Sequence, residues 1–441
     1  MNEASSKQAT ATATAGGSAA RPERVALQYA LFQAALAAAD PLEVVPAHLP
    51  PPPRGRTIVV GIGKAAAAMA RAVERHMAGP VEGVIVVPPG ASLPLDQIRV
   101  VEGSHPVPDA RSVAAAGQVM HAVTGLSADD LVIALVSGGG SALCALPAEG
   151  LELEEKQRIT RALLARGASI SEFNTVRRHL SAIKGGRLAA RASPARVLTL
   201  LISDIPGDDP ALVASGPTLG DASTCSDALG VPQRYGIEIS AHVRAALEEG
   251  RWESVKPDDP RLAGHQHRLI SCARHGLDAA ARVAAGHGLD CHVLSDAMEG
   301  EARDLAKAHA AIALSVAQHG SPFRAPCVIL SGGEATVTVR GQGRGGRNTE
   351  FALALAMALD GHPRIHALSA GTDGLDGNAG AAGAWVEPNT LARARSLGVD
   401  PMATLIDNDS ASHFQAIGSL VVTGPTLTNI NDFRSIIVDA A

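Results

Sequence analysis

From Thr57 onward the chain repeats one unit: a short apolar run, a loop of small residues, then an alanine-rich helix. An apolar run that does not alternate with polar residues is buried on both faces, and strands separated by helices join a sheet by parallel crossovers. The clearest strands are Thr57–Val60, Val84–Val87, Leu131–Val136, Val197–Ile202, His292–Leu294, Val328–Leu330, His366–Leu368 and Leu420–Val422. The pattern predicts an α/β protein built on parallel sheets. Its 441 residues exceed one typical domain and point to two or three. Hydrophobic residues make up 46% of the chain but aromatics only 2%, so the core must be built of Ala, Val, Leu and Ile, with helices packed closely on sheets.

Residues 1–22 are rich in Ala, Thr, Ser and Gly and read as a disordered tail. Apolar residues at helical spacing (Val25, Leu27, Ala30, Leu31, Ala34) predict a helix ending before Pro41, and Pro46–Pro53 reads as a stiff connector. A larger N-terminal parallel-sheet domain is expected over 23–262 and a smaller C-terminal α/β domain with some antiparallel strands over 263–441. The weakly patterned stretch Asp227–Gly288 forms the passage between them. The segment Ala335–Arg340 alternates apolar and polar residues, which predicts an antiparallel edge hairpin with one wet face.

A net charge of −6, with no dense Lys/Arg run and few aromatics, argues against nucleic-acid binding. The five cysteines are odd in number and widely spaced, with no Cys-x-x-Cys pair, so they read as small buried apolar residues. No stretch approaches the length of a membrane span, and the N-terminus lacks the apolar centre of a secretion signal. A cytoplasmic protein without a membrane partner is expected.

The loops after the strands carry the chemistry. They read Gly61-Ile62-Gly63-Lys64, Ser137-Gly138-Gly139-Gly140-Ser141, Ser203 to Asp209, Ser331-Gly332-Gly333-Glu334 and Gly371 to Gly377. Open α/β sheets bind ligands beyond the carboxyl ends of their strands. A structural α/β protein needs only a glycine or two per turn, so five such loops favour a binding cleft.

Lys64 stands at the start of a helix, where the dipole disfavours a cation unless it faces an anion; the plain alternative is a solvated side chain. Gly341-Gln342-Gly343-Arg344-Gly345-Gly346-Arg347-Asn348 offers two guanidinium groups in a glycine-rich loop, with Asn348 able to cap the next helix; a solvated hairpin tip is the alternative. Its Gly-x-Gly-x-x-Gly spacing is a decoy for a dinucleotide loop, because the strand before it alternates. No Gly-x-x-x-x-Gly-Lys-Ser/Thr motif occurs, which excludes a P-loop NTPase. Of Asp204, Asp208, Asp209, Asp373 and Asp376, some suit Mg²⁺ or an alcohol proton, while turn formation explains at least two. Arg177, Arg178, Lys184 and Arg187 read equally well as anion ligands or as cations compensating the C-terminus of one helix, and His105 sits in a rigid proline-rich loop.

Together, Gly61–Lys64, Gly103–Asp109, Ser137–Ser141, Asn174–Arg187, Ser203–Thr218, Ser331–Glu334, Gly343–Phe351, Gly371–Gly377 and Thr423–Asp432 resemble the MOFRL-type glycerate 2-kinases, many of which are labelled hydroxypyruvate reductase. The resemblance covers essentially everything after the tail. It implies a Rossmann-like N-terminal domain, an active site in the interdomain cleft, and ATP- and Mg²⁺-dependent phosphorylation of D-glycerate at its 2-hydroxyl. By motif it implies Lys64, Arg347 and Asp373 as the catalytic group. Phosphate and nucleotide contacts would fall to Gly61, Gly63, Ser137, Gly138, Gly139, Gly140, Ser141, Gly332, Gly333, Glu334, Gly345, Gly346 and Asn348. Substrate contacts would fall to His105, Asp204, Arg178, Lys184 and Arg344, and the metal to Asp204 and Asp208. Thr349 replaces the family's usual Gln, and Ala411 its usual Tyr. The alternative activity is an NAD(P)H-dependent hydroxypyruvate or tartronate-semialdehyde reductase; a homodimer is the assembly left open.

Overall fold

The computed structural model describes residues 23–441, so the expected tail lies outside the described residues. Six strands form the first sheet: β1 (Thr57–Ile62), β2 (Val81–Val87), β3 (Ile98–Glu102), β4 (Leu131–Val136), β5 (Arg196–Ile202) and β6 (Gln266–Ser271). Their order is β3-β2-β1-β4-β5-β6, with every pairing parallel. This is the doubly wound order, in which the chain reverses direction between β1 and β4 and leaves a crevice at their carboxyl ends. Alanines make the close packing possible: Ala66, Ala67, Ala70 and Ala72 of the helix Ala66–His76 have no exposed surface against β1, β2 and β4.

The second sheet contains β7 (Asp290–Val293), β8 (Met298–Glu301), β9 (Cys327–Thr336), β10 (Ile365–Gly371), β11 (Gly383–Val386), β12 (Leu420–Val421) and β13 (Asp432–Val438). Its order is β12-β11-β10-β13-β9-β7, with β8 also pairing to β9. Only the β7 and β8 pairings to β9 are parallel; the others are antiparallel. Antiparallel strands were expected in this second unit; what does not carry over is the inference that a run apolar on both faces has parallel neighbours. Burial on both faces comes instead from helices on both faces, Ala302–His319 and Arg347–Leu359 on one side and Glu23–Ala37 and Ala273–Gly286 on the other. Layering hides a strand whichever way it runs.

Three further differences bear on the site. Ser331–Glu334 is no strand-end loop but the middle of β9, held between β13 and β8. Its glycines serve that approach: Gly333 has φ +119°, and a Cβ there would fall 2.2 Å from the Met298 backbone. The expected hairpin at Ala335–Arg340 is absent, because β9 ends at Thr336 and 337–340 take no regular structure. Finally, β6 carries the first sheet past residue 262, and the helix Glu23–Ala37 packs through Leu31 and Phe32 on the second sheet. The chain thus starts on one layer system, builds the other, and returns.

Candidate active site

The β1–β4 crevice faces the loops of the second sheet across a cleft of about 930 Å³, lined by Lys64, His105, Gly345, Gly346, Arg347, Asp373 and Asp376 among others. Lys64 lies two residues past β1 and Asp373 two residues past β10. They meet across the cleft, Lys64 Nζ donating to Asp373 Oδ2 at 2.7 Å. The other Asp373 oxygen accepts from the Leu375 amide at 3.0 Å, which fixes the carboxylate's orientation.

Arg347 opens the helix Arg347–Leu359. Its Nε donates to Asp432 Oδ1 at 2.6 Å and its Nη1 to Glu334 Oε1 at 3.0 Å. Burial works against its charge, but Asp432 and Glu334 outweigh that and hold its pKa above the ordinary arginine value. Asp432, fully buried, also accepts from Asn348 Nδ2 at 2.9 Å, Arg434 Nη2 at 2.7 Å and the Ala335 amide at 3.1 Å. Burial pushes its pKa up, and Arg347 and Arg434 pull it below the usual carboxylate range. Asp432 was not singled out as a site residue from the sequence, and its only signal was its place at the end of the Thr423–Asp432 motif.

The helix start is not open to a ligand as expected. Asp376 occupies it, accepting from the amides of Asn348 at 2.9 Å and Thr349 at 2.8 Å and from the Thr349 hydroxyl at 2.8 Å. Burial pushes the Asp376 pKa up to about 6. Gly346 is the cap residue, and it is glycine because a Cβ would fall 2.4 Å from the Asp376 carboxylate. Asn348 is buried and turned inward, its Oδ1 accepting from Ser369 at 2.7 Å. Thr349 supports Asp376 and Ala411 is fully buried, so neither departure from the family pattern lines the cleft.

On the first sheet, Gly61 belongs to β1, where a Cβ would strike Ile85 at 2.4 Å, and Gly63 (φ +132°) lies against Ser137. The Ser137 hydroxyl accepts from the Ala65 amide at 3.1 Å, and the Gly63 amide donates to Val86 at 3.1 Å. These three residues build the turn rather than face the cleft. Gly138, Gly139, Gly140 and Ser141 differ: their amides find no acceptor among the described residues, and Gly139 takes φ +78°. Successive free N–H groups of this kind form an anion-binding concavity. Gly138 also leaves room for Asp204, whose Oδ2 a Cβ would meet at 1.7 Å.

Asp204 accepts from Asn429 Nδ2 at 2.9 Å. Burial and the nearby Glu334 push its pKa up to about 6, against Lys64 and Arg347. Asp208 turns to Cys272 instead and does not line the cleft, so it does not join Asp204. His105 lines the cleft, and its pKa falls to about 4 through burial and the positive charges of Lys64 and Arg177, which leaves the imidazole neutral at pH 7.

Arg178, Lys184 and Arg344 do not reach the cleft. Arg178 is buried against Asp221 at 2.8 Å; Lys184, 2% exposed, donates to the Cys144 and Ala214 carbonyls at 3.3 and 3.4 Å. Arg344 bonds Gln415 and the Ala379 carbonyl, both at 3.2 Å. The basic segment is also not one helix: Ile170–His179 ends before Lys184, and Arg187 starts the helix Arg187–Ala192.

Two family models match, a domain of unknown function (DUF4147) over residues 27–248 and the MOFRL family over 327–432. The chain is 41% identical to the D-glycerate 2-kinase of Thermotoga maritima, covering 86% of this chain and 89% of that one. It belongs to the MOFRL-type glycerate kinase family. The crystal structure of glycerate kinase from Thermotoga maritima superposes with a TM-score of 0.85 at 38% identity, over 95% of this chain and all of that one. The chain is also 51% identical, over 92% of its length and 93% of the other's, to an Agrobacterium vitis protein that bears the provisional name hydroxypyruvate reductase. Among the described residues, no helix is long and apolar enough to cross a membrane.

Proposed function

We propose that this protein transfers the γ-phosphoryl group of ATP to the 2-hydroxyl of D-glycerate, giving 2-phosphoglycerate and ADP. The observation that carries the reading is the meeting of Lys64, Asp373 and Arg347 in one cleft between the two sheets, Lys64 and Asp373 2.7 Å apart. Two fixed cations beside one carboxylate suit a reaction whose transition state spreads negative charge over a phosphoryl group. In this scheme the bond from γ-phosphorus to the bridging oxygen of ADP breaks as the acceptor oxygen bonds to phosphorus. Asp373 orients the acceptor hydroxyl and takes its proton, and Lys64 and Arg347 offset charge on the transferring oxygens. Free amides at Gly138–Ser141 supply further donors to phosphate.

The donors present fit Mg²⁺. Asp204 is a buried carboxylate that Glu334 repels, and a hard cation held by one or two carboxylates plus substrate phosphates would relieve that repulsion. When bound, the ion supplies charge neutralisation at the phosphate oxygens. With its pKa raised to about 6, Asp204 is ionised above that pH and protonated below it. The Mg²⁺ concentration for half-maximal rate should therefore climb as pH falls from 7 to 5, and Asp204→Asn should flatten that dependence; an unchanged profile in the variant would remove Asp204 from the metal.

The reductase alternative is the weaker one. A nicotinamide dinucleotide site needs an acidic residue for the ribose hydroxyls about twenty positions beyond the glycine turn, at the carboxyl end of the next strand; here Glu82 has the spacing but stands exposed at the start of β2, 3.7 Å from Arg56, and the strand's carboxyl end reads Val86-Val87. The deciding experiment is ³¹P NMR of the protein with Mg-ATP and D-glycerate, run beside an absorbance trace of NADH with hydroxypyruvate. A 2-phosphoglycerate resonance with flat absorbance is expected. A 3-phosphoglycerate resonance would move the acceptor hydroxyl, and NADH loss with no new resonance would overturn the kinase reading.

A further inference from the structure

A second cavity of about 290 Å³ adjoins the main cleft, sharing His105 and Pro106 with it. Lys156, 4% exposed, and Arg177 both line it. Arg177 lies over the Phe173 ring, 4.7 Å from guanidinium carbon to ring centre, and among the described residues it has no carboxylate partner and donates no hydrogen bond. Its sequence neighbour Arg178, by contrast, is paired with Asp221. Burial pulls the Arg177 pKa down to about 10, and burial together with Lys184 and Arg177 pulls that of Lys156 well below the ordinary lysine value. Lys156 is buried with the Leu180 carbonyl as its acceptor and Arg177 is half-buried over the Phe173 ring, so neither cation has a counter-ion among the described residues, which is unfavourable. Such an arrangement persists where a ligand brings the missing anion. Asp204 is the one carboxylate lining this cavity among the described residues. His105 lines both cavities, and Lys64, Asp373 and Arg177 are all near enough to act on its charge, so it belongs to the border between the cation and the reacting groups.

We propose that this cavity receives the carboxylate end of the hydroxy-acid acceptor, with Arg177 as its counter-ion, so that the substrate's hydroxyl points past His105 toward Asp373. The assignment rests on the kinase reading for its acceptor. Sizes agree with it: the smaller cavity suits a small acid, whereas the 930 Å³ cleft has room for a nucleotide. A neutral base in the smaller cavity would leave Arg177 uncompensated.

The test compares Arg177→Ala and Arg177→Lys with the full wild-type chain in steady-state kinetics, thermal melting and calorimetric titration with D-glycerate. Loss of a charge-assisted bond to a carboxylate should raise KM for D-glycerate on the order of 10- to 100-fold in Arg177→Ala while KM for ATP stays put. Arg177→Lys should recover part of it. Because Arg177 holds no protein carboxylate and rests on the Phe173 ring alone, the melting temperature should fall by no more than about 2 °C. An unchanged KM for D-glycerate, a rise confined to ATP, or a melting temperature lowered by more than the loss of the Phe173 contact accounts for would each overturn the assignment while leaving the kinase intact. If wild-type protein phosphorylates no hydroxy acid, the kinase reading fails and calorimetry alone decides the anion site: heat of D-glycerate binding lost in Arg177→Ala supports it, and equal heats overturn it.

Discussion

Arg347→Ala should lower kcat by roughly 10³-fold or more while the protein stays folded, the range seen when an arginine that neutralises a phosphoryl transition state is removed. Folding should survive because Asp432 keeps Arg434 at 2.7 Å and Asn348 at 2.9 Å after Arg347 is gone. Arg347→Lys should rescue little. The guanidinium is held flat by two bonds from different nitrogens, Nε to Asp432 and Nη1 to Glu334, and an ammonium cannot make both in that geometry. A coupled ADP-release assay beside a thermal melt checks this. Turnover within tenfold of wild type in the alanine variant would place Arg347 outside the transition state.

Asp432→Asn should be the most destabilising single change in the site. The Asp432 side chain has no exposed surface and that of Arg434 is 1% exposed, and this carboxylate is the ion-pair partner that Arg434 has among the described residues. Removing one member of a buried pair leaves the other charge uncompensated, at a cost of about 3–5 kcal/mol. Urea denaturation should register that loss. Activity should fall as well, since the Nε bond that aims Arg347 ends on the same carboxylate. Adding Arg434→Met to Asp432→Asn should restore much of the stability, as apolar replacements of buried ion pairs often do, without restoring turnover. Equal denaturation midpoints for wild type and Asp432→Asn would contradict the role given to Asp432.

The doubly wound sheet was legible because its central strands are apolar on both faces, as in Leu131–Val136, where every residue is buried. β6 escaped notice because Gln266, His267 and Arg268 are exposed at the sheet edge and carry no apolar signal. β13 was hidden for the opposite reason: Asp432 and Arg434 are charged yet fully buried, and only their pairing makes that tolerable. Ser331–Glu334 looked like a loop because glycine marks turns and close backbone approach alike, and the sequence does not say which.

The sequence by itself determined the layered α/β plan and put Lys64 and Asp373 at strand ends, since burial periodicity and glycine placement are local properties of the chain. Only the tertiary structure decided partners. It brought Lys64 and Asp373, 309 positions apart in the chain, to 2.7 Å, and gave the start of the Arg347 helix to Asp376 instead of a ligand. It also turned Arg177 to a cavity and Arg178 to Asp221. Adjacent residues on a helix point about 100° apart, so which of two arginines meets solvent, substrate or carboxylate is set by how the helix is rotated against its neighbours.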